Sequence, residues 1–203
     1  MIDVWNEGAL WTLSLNRPEK ANALTHEMLE GIVVAIAKAQ ALDARVLILT
    51  GRGKVFSAGA DLDAARLGLA TDPIWQRVSA AVSGFPGLSI AALNGTLAGG
   101  AMGMALACDL RIAVPGARFF YPVMKLGYLP QQPDPARLVA LLGPARAKMI
   151  LMAGAKIDAD EALAWGLIDR IIPAERLIEA VNALAADALA APSGHAAAIK
   201  AML

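Results

Sequence analysis

The sequence is poor in the residues that build disulfides and metal sites. Its single cysteine, Cys108, has no partner for an internal disulfide and cannot form a multi-cysteine metal cluster. Its two histidines, His26 and His195, stand far apart, and nothing beside them supports a zinc or iron site. We therefore expect neither a disulfide framework nor a bound metal.

Net charge is also absent. The chain carries 18 Lys and Arg against 18 Asp and Glu, so it has no basic excess that would favour nucleic acid and no acidic tail. Its 203 residues suit one domain that buries a sizeable core. A small or neutral partner fits this balance better than a nucleic acid does.

One long stretch, residues 78–108, lacks charged side chains altogether. Its length would suit a membrane span, but eight Gly, Pro and Asn residues divide it into short elements that no bilayer helix needs. A hydrophobic fraction of 57% and a mean hydropathy of +0.53 then indicate a very apolar core, with some surface covered by sister subunits. The N-terminus has no signal-peptide pattern, so we expect a cytoplasmic protein without membrane association.

The order of apolar runs and helical patterns in the first half predicts an α/β fold. We expect a hairpin over residues 2–15, then a helix capped by Thr25, then a buried strand over residues 45–50. A second apolar run, residues 88–93, leads into a glycine turn, a short helix and a strand over residues 109–114.

The second half has a different pattern. From about residue 134 it is mostly helical, and Asp134 followed by proline has the position of an N-cap. Asp158 and Glu161 have capping-box spacing before another short helix. No long linker separates the halves, so we predict one domain over residues 1–203, with a core of about 1–133 and a helical C-terminal region of about 134–203.

Two glycine-containing turns follow predicted strands, at residues 51–62 and 94–109. Backbone N–H groups are free where a chain enters a helix, so each turn is a candidate anion or oxyanion site. Neither turn has the spacing of a phosphate loop, a nucleophile elbow or a dinucleotide fingerprint. Two such turns could hold one carbonyl oxygen if they met. Alternatively, the glycines only let a helix pack tightly against a sheet.

Five separated motifs resemble, in order and spacing, those of the crotonase superfamily, which is the enoyl-CoA hydratase and isomerase family. They are Asn16-Arg17-Pro18 with Asn22-Ala23-Leu24, residues 56–62, residues 94–109, Tyr121-Pro122 with Leu126-Gly127, and residues 162–169. The resemblance implies a spiral of ββα units with a helical C-terminal region, assembled as a homotrimer or a dimer of trimers. It also implies an acyl-CoA thioester as partner, and no cofactor beyond coenzyme A as part of that substrate.

The resemblance also implies roles for single residues. It places the two oxyanion-hole N–H groups on Ala60 and Gly100, which would hold the thioester oxygen and stabilise the enolate formed at the adjacent carbon. The substrate-binding and CoA-binding positions that it implies are Lys20, Ala21, Ala58, Ala60, Asp61, Leu62, Gly100 and Tyr121.

The proton-transfer residues do not follow in the same way. The two glutamates that hydratases of the family use as acid and base fall on Gly103 and Val123, and neither side chain can move a proton. Tyr128 and Asp134 follow in a region from which some relatives supply other catalytic side chains, so both are candidates for acid or base. The Asp134 cap remains the alternative for that residue.

Three functions therefore stay open. The first is an enzyme with a different proton-transfer residue, which could catalyse hydration, isomerisation, decarboxylation or hydrolysis. The second is a non-catalytic acyl-CoA binding or regulatory protein. The third is a serine peptidase of the related Clp fold, although Ser57 and Ser83 lack a His and Asp set. Family members commonly continue for several tens of residues past a point like Leu203, so we expect a more open pocket or one covered by a neighbouring subunit.

Overall fold

Ten strands form two sheets in the computed structural model, which describes residues 1–203. The strands are β1 (Ile2–Glu7), β2 (Leu10–Leu15), β3 (Val46–Gly51), β4 (Val55–Ser57), β5 (Leu88–Leu93), β6 (Thr96–Ala98), β7 (Leu110–Ala113), β8 (Arg118–Phe120), β9 (Ile157–Asp158) and β10 (Arg170–Ile171). The larger sheet has the order β1-β2-β3-β5-β7-β10 and is parallel apart from the β1–β2 hairpin. The smaller sheet has the order β4-β6-β8-β9 and is parallel apart from the β8–β9 pair.

Ten α-helices and four short 3₁₀ helices connect the strands. The α-helices are α1 (His26–Ala41), α2 (Leu62–Arg66), α3 (Ile74–Ser83), α4 (Met102–Leu106), α5 (Val123–Leu126), α6 (Pro133–Leu142), α7 (Pro144–Leu151), α8 (Ala159–Trp165), α9 (Leu177–Ala190) and α10 (His195–Lys200). The 3₁₀ helices are Pro18–Lys20, Leu69–Thr71, Gly99–Ala101 and Ala174–Arg176. None of the helices has both the length and the apolar character that a membrane crossing would require.

The chain repeats one unit, two strands followed by a helix, four times. The first unit is β1, β2 and α1, and the second is β3 and β4 followed by α2 and α3. The third is β5, β6 and α4, and the fourth is β7, β8 and α5. In the last three units the first strand joins the large sheet and the second strand joins the small sheet. This arrangement confirms the α/β fold and the spiral of ββα units that the resemblance implied.

The uncharged stretch forms the centre of the core. Five of the six residues of β5 and all five residues of α4 are buried. β3 has buried residues on both faces, as strands in the middle of a parallel sheet do. The Thr50 hydroxyl of this strand donates a hydrogen bond to the Ala92 carbonyl oxygen at 2.9 Å, so even its polar residue is paired inside.

Two of the predicted helix caps are confirmed and one is wrong. Thr25 caps α1 by accepting from the Met28 N–H, and Asp158 with Glu161 forms the predicted capping box. The predicted Asp134 cap is wrong, because α6 begins at Pro133 with Gln132 in the cap position. Asp134 is the second residue of α6 and its side chain is fully buried, where it bonds to another side chain instead of to the helix backbone.

Two predicted boundaries also move. The apolar run over residues 167–172 predicts a strand and Pro192 predicts the start of a last helix, but only the two residues of β10 form a strand there and the last helix begins at His195. The region after α5 contains five α-helices, one 3₁₀ helix and only two short strands, so it is mostly helical, as predicted.

Candidate active site

The two glycine turns touch each other. Gly59 has φ +95° and Gly99 has φ +57°, both in the left-handed region that favours glycine. A Cβ atom placed on Gly59 would lie 3.0 Å from the Ala98 carbonyl oxygen and 3.3 Å from the Gly99 Cα. Any side chain at Gly59 would therefore push the two turns apart.

Hydrogen bonds on either side of Ala60 hold its backbone in place. The Leu24 N–H donates to the Gly59 carbonyl oxygen and the Asp61 N–H donates to the Leu24 carbonyl oxygen, each at 2.8 Å. The Ala60 N–H itself makes no hydrogen bond within the chain. Gly100 lies in the first turn of a 3₁₀ helix, where N–H groups have no partner inside the helix. Two rigid donors from different turns thus lie beside one another.

Both donors line one cavity of about 220 Å³. Eleven of its fifteen lining residues are hydrophobic, so the donors act in apolar surroundings, where a hydrogen bond to a developing charge is strengthened. The lining consists of Ala58, Ala60, Leu62, Ala65, Ala70, Trp75, Gly99, Gly100, Tyr121, Pro122, Val123, Leu126, Tyr128, Leu129 and Gln131.

Trp75 of α3 packs against the backbone of Gly100. A Cβ atom on Gly100 would lie 3.1 Å from two carbons of the indole ring. The indole N–H donates to the Leu69 carbonyl oxygen at 2.7 Å, and this bond fixes the ring. This close packing favours glycine at residue 100, as the packing alternative expects, while the oxyanion role of the Gly100 N–H stays a prediction.

A buried polar cluster adjoins the cavity. Tyr121 directly follows β8. Its hydroxyl donates to Asp134 Oδ2 at 3.0 Å and accepts from the Gln131 N–H at 3.3 Å. Asp134 is fully buried, and its Oδ1 atom has no hydrogen-bond partner. A Cβ atom on Gly103 would lie 2.8 Å from this Oδ1 and 3.0 Å from Oδ2. The carboxyl group thus fills the space in which a side chain at residue 103 would begin.

Burial sets the charge states of this cluster. Burial raises the pKa of Asp134 to about 6, while the hydrogen bond from Tyr121 and the positive charge of Arg137 act in the opposite direction. Burial also raises the pKa of the Tyr121 hydroxyl well above its usual range, and the negative charge of Asp134 adds to that rise. Tyr121 is therefore protonated at neutral pH, whereas Asp134 changes charge close to it.

Comparisons with known proteins agree with this architecture. The family model described as enoyl-CoA hydratase/isomerase matches residues 6–203. The chain belongs to the enoyl-CoA hydratase/isomerase family. It is 38% identical over 192 residues to a carnitinyl-CoA dehydratase of Citrobacter koseri, a match that covers 88% of this chain and 70% of that protein.

Solved structures of the enoyl-CoA hydratase/isomerase family superpose closely on the chain. An enoyl-CoA hydratase/carnithine racemase from Magnetospirillum magneticum has a TM-score of 0.91 at 30% identity, covering 99% of this chain and 79% of that one. An enoyl-CoA hydratase from Bacillus anthracis has a TM-score of 0.84 at 30% identity, covering 95% and 78%. These likenesses confirm the fold expected from the five motifs.

Most residues that the family resemblance placed at the site lie together. The cavity lining includes Ala58, Ala60, Leu62, Gly100, Tyr121 and Tyr128. Tyr128 is 39% exposed and its hydroxyl makes no hydrogen bond within the chain, so it lies at the mouth. Asp134 lies behind Tyr121, outside the lining.

The other predicted binding residues lie outside the cavity. Lys20 is exposed on the loop before α1, and the Ala21 carbonyl oxygen accepts from the Ala58 N–H at 3.0 Å. Asp61 bonds to Arg17 at 2.7 Å and caps α2 by accepting from the backbone of Asp63 and Ala64. These contacts hold the loop before α1 against the turn that carries Ala60.

Two asparagines that the sequence interpretation gave no role hold the same loops. Asn22, fully buried, donates from its side chain to the Arg52 and Val55 carbonyl oxygens at 2.9 and 2.7 Å. Asn94 donates to the Gly53 carbonyl oxygen at 2.9 Å and accepts from a backbone N–H at 3.0 Å. An asparagine side chain can donate and accept hydrogen bonds at the same time. This capacity is the sequence signal that could have suggested that these two residues connect the loops.

Ser57 does not have the surroundings of a nucleophile. Its side chain is fully buried, and its hydroxyl donates to the Asn22 carbonyl oxygen at 2.8 Å and accepts from the Gly59 N–H at 3.2 Å. His26 is more than half exposed and lies beside Asp72 on the surface. This geometry argues against the serine peptidase alternative.

Proposed function

We propose that this chain binds an acyl-CoA thioester in the apolar cavity and stabilises its enolate through the N–H groups of Ala60 and Gly100. The observation that carries the proposal is the meeting of the two turns, which leaves the Ala60 N–H unbonded and beside Gly100 at one apolar surface. The names of relatives support the substrate class, because hydratases and dehydratases of CoA thioesters are among them.

The proposed chemistry depends on stabilising the negative charge that develops on the substrate. Removing a proton from the carbon next to a thioester places negative charge on the thioester oxygen, and fixed N–H donors in a dry cavity stabilise that charge without reorganising. The hydrophobic lining residues would surround the acyl chain, and the exposed Leu62 would lie along its entry. The homotrimer or dimer of trimers and the cytoplasmic location remain predictions from the resemblance and from composition.

A test begins with exchange of the substrate's own protons. The protein is incubated in heavy water with saturated, unsaturated and malonyl-type acyl-CoA thioesters, and mass spectrometry reports deuterium at the α-carbon, water addition or loss of carbon dioxide. We expect deuterium uptake by at least one thioester. Thioester binding detected in the same samples without any mass change would contradict enolate chemistry.

Ala60→Pro sharpens this test, because it removes an N–H that bonds to nothing in the chain and leaves the flanking bonds of Leu24 available. Loss of one oxyanion donor is expected to lower exchange by about 10²- to 10³-fold. Ala60→Val is the matched control, because it adds similar bulk and keeps the N–H. Equal loss in both variants would assign the effect to bulk and not to the donor.

The second candidate function is a non-catalytic acyl-CoA binding or regulatory protein. It is favoured by Gly103 and Val123, which stand where the resemblance places the two hydratase glutamates. The same exchange experiment separates the two functions, since turnover of any thioester eliminates the non-catalytic one.

A further inference from the structure

The cluster of Tyr121, Asp134 and Gly103 has no role in the oxyanion chemistry above. Its three members come from different elements, because Tyr121 follows β8, Gly103 lies on α4 and Asp134 lies on α6. The cluster adjoins the cavity, since Tyr121 is in the lining. It also adjoins the oxyanion turn, since Gly103 lies three residues after Gly100.

We infer that Tyr121 is the catalytic proton-transfer residue of this cavity and that Asp134 is its positioning residue, acting through the hydrogen bond between them. The inference rests on the proposed function, because it supplies the base that enolate formation requires. It also explains why residue 103 is a glycine. A side chain at that residue would collide with the Asp134 carboxyl, so glycine is what admits the carboxyl from α6 to this place.

The unpartnered oxygen supports a functional role for the carboxyl. Asp134 is fully buried, yet only Oδ2 is bonded to a protein group, while Oδ1 has no partner. Buried polar atoms are paired in the great majority of cases, and titratable groups with strongly shifted pKa values cluster at functional sites. A carboxyl that served structure alone would gain stability from a second donor.

The proton balance of the step is simple. As the C–H bond at the α-carbon breaks, its proton passes to the Tyr121 oxygen while the hydroxyl proton of Tyr121 passes to Asp134 Oδ2. The electron pair of the C–H bond forms the enolate double bond, and the negative charge moves to the thioester oxygen between Ala60 and Gly100. The reverse transfer returns the proton of the Tyr121 hydroxyl to the α-carbon while Asp134 returns its proton to Tyr121, and a deuteron enters the substrate when the Tyr121 hydroxyl has exchanged with heavy water in between.

The pH dependence of the step is set by few groups. Tyr121 and Arg137 are the titratable or charged groups that act on Asp134, and α4, which packs on α6, contributes no ionisable side chain. Arg137 donates to the Ser79 hydroxyl, which holds it between α6 and α3. The charged residues of α7, Arg146 and Lys148, and Arg77 of α3 are all exposed. Because the ionised carboxylate is the proton acceptor, exchange should rise with pH up to about 6 and then level off.

The experiment uses the thioester that exchanges fastest with the wild-type protein. Its rate of deuterium exchange is measured from pH about 4.5 to about 8 in the wild-type protein and in the Tyr121→Phe and Asp134→Asn variants. Both variants are expected to lose about 10²- to 10³-fold in exchange rate while thioester affinity stays within about threefold. Residual exchange in Asp134→Asn should lack the inflection near pH 6, which a merely structural role would not remove. Asp160→Asn, on the exposed side of α8, is the matched control and should keep rate and profile.

Three outcomes would overturn the inference. The first is full exchange in both variants. The second is loss in Tyr128→Phe without loss in Tyr121→Phe, which would assign the proton to the other tyrosine of the cavity. The third is an unchanged inflection in Asp134→Asn. If wild-type protein exchanges no thioester, the proposed function fails with the inference, whereas exchange that survives these substitutions removes the inference alone.

Gly103→Ala provides a second variant that keeps both groups. Its Cβ would lie within 3.0 Å of both carboxyl oxygens, so the carboxyl must move away from its present place. We expect at least about a tenfold loss of exchange and a displaced inflection. An unchanged rate and profile would contradict the role assigned to this packing.

Discussion

The two sides of the cavity are built in opposite ways. One side is backbone, formed by the turns at Gly59–Ala60 and Gly99–Gly100, and it offers N–H groups held by hydrogen bonds on either side. The other side is made of side chains, with the hydroxyl of Tyr121 at the lining and the carboxyl of Asp134 behind it, joined by one hydrogen bond of 3.0 Å. The first side is rigid and its charge is fixed. The second side contains the group that titrates.

This difference suits the two tasks of the proposed enolate chemistry. A donor that stabilises charge is most effective when it cannot reorient, so it belongs on a backbone that tertiary contacts determine fully. A group that moves a proton must exist in two charge states, so its pKa has to lie near the working pH. The free-energy cost of the site therefore falls on Asp134, whose unpartnered buried oxygen is expected to cost about 1–3 kcal/mol.

The largest effect is expected where the two turns touch. Gly59→Ala introduces a residue at φ +95° and a Cβ 3.0 Å from the Ala98 carbonyl oxygen, so it should separate Ala60 from Gly100. We expect exchange of the α-proton to fall at least about 10²-fold, because both donors lose their alignment. The free energy of unfolding should fall by about 2–3 kcal/mol from backbone strain and collision together.

Gly68→Ala separates these two causes. Gly68 has φ +109°, so the substitution brings similar backbone strain, but a Cβ there meets no atom within 4 Å. It should lower the free energy of unfolding by about 1 kcal/mol and leave exchange nearly unchanged. Equal losses of exchange in the two variants would show that strain, and not the contact between the turns, determines the activity.

The same contrast explains what the sequence could predict. The backbone side was predictable, because free N–H groups follow from glycine turns after apolar strands, and both turns lie where the pattern placed them. No local pattern predicted their contact, because it joins residues about forty positions apart through the packing of two sheets, and only the family resemblance implied it. Trp75, which covers Gly100, carried no local signal beyond its hydrophobic character.

For the side-chain side, the local pattern predicted the wrong contact of Asp134. Asp134 before Pro135 is a typical start of a helix, and the local pattern therefore indicated a cap. In the structure the Tyr121 hydroxyl bonds to the carboxyl instead, and Gly103 leaves room for it. A hydrogen bond between residues thirteen positions apart, on separate elements, lies beyond any local pattern.

The next largest effect is expected on the free energy of unfolding, through the charge of the buried Asp134 carboxyl. Its pKa lies near 6 in the folded protein and near 4 in an unfolded chain, so folding favours the protonated form. The contribution of Asp134 to the free energy of unfolding should therefore be most favourable below about pH 4 and fall by up to about 3 kcal/mol as pH rises through about 6. Asp134→Asn cannot ionise, so it should be more stable than wild type at pH about 7 and lose this advantage towards pH about 4.

Urea unfolding at several pH values measures this difference. Asp160→Asn removes an exposed aspartate and should show no comparable pH-dependent gap. A constant difference between Asp134→Asn and wild type at every pH would mean that the carboxyl does not change its charge on this side of the cavity. The comparison of a fixed side and a titrating side would then be wrong.

The smallest effect is expected at the outer support of the backbone side. Arg17 donates to Asp61 at 2.7 Å and to the Ala23 carbonyl oxygen at 3.1 Å, and it lowers the pKa of the Asp61 carboxyl. The stabilisation is therefore present above the ordinary pKa of that carboxyl and lost as pH falls below it. Arg17→Gln should lower the free energy of unfolding by about 1 kcal/mol at neutral pH, and less at high salt, because both side chains are partly exposed.

Exchange in Arg17→Gln should stay within about threefold of wild type, because the bonds of Leu24 still hold Ala60. Arg66→Gln is the matched control, since Arg66 pairs with Asp63 on the same helix at 3.2 Å but both side chains are almost fully exposed. That variant should change the free energy of unfolding by less than about 0.5 kcal/mol in urea unfolding at low and high salt. If Arg17→Gln lost activity as Gly59→Ala does, the rigidity of the backbone side would depend on this ion pair and not on the contact between the turns.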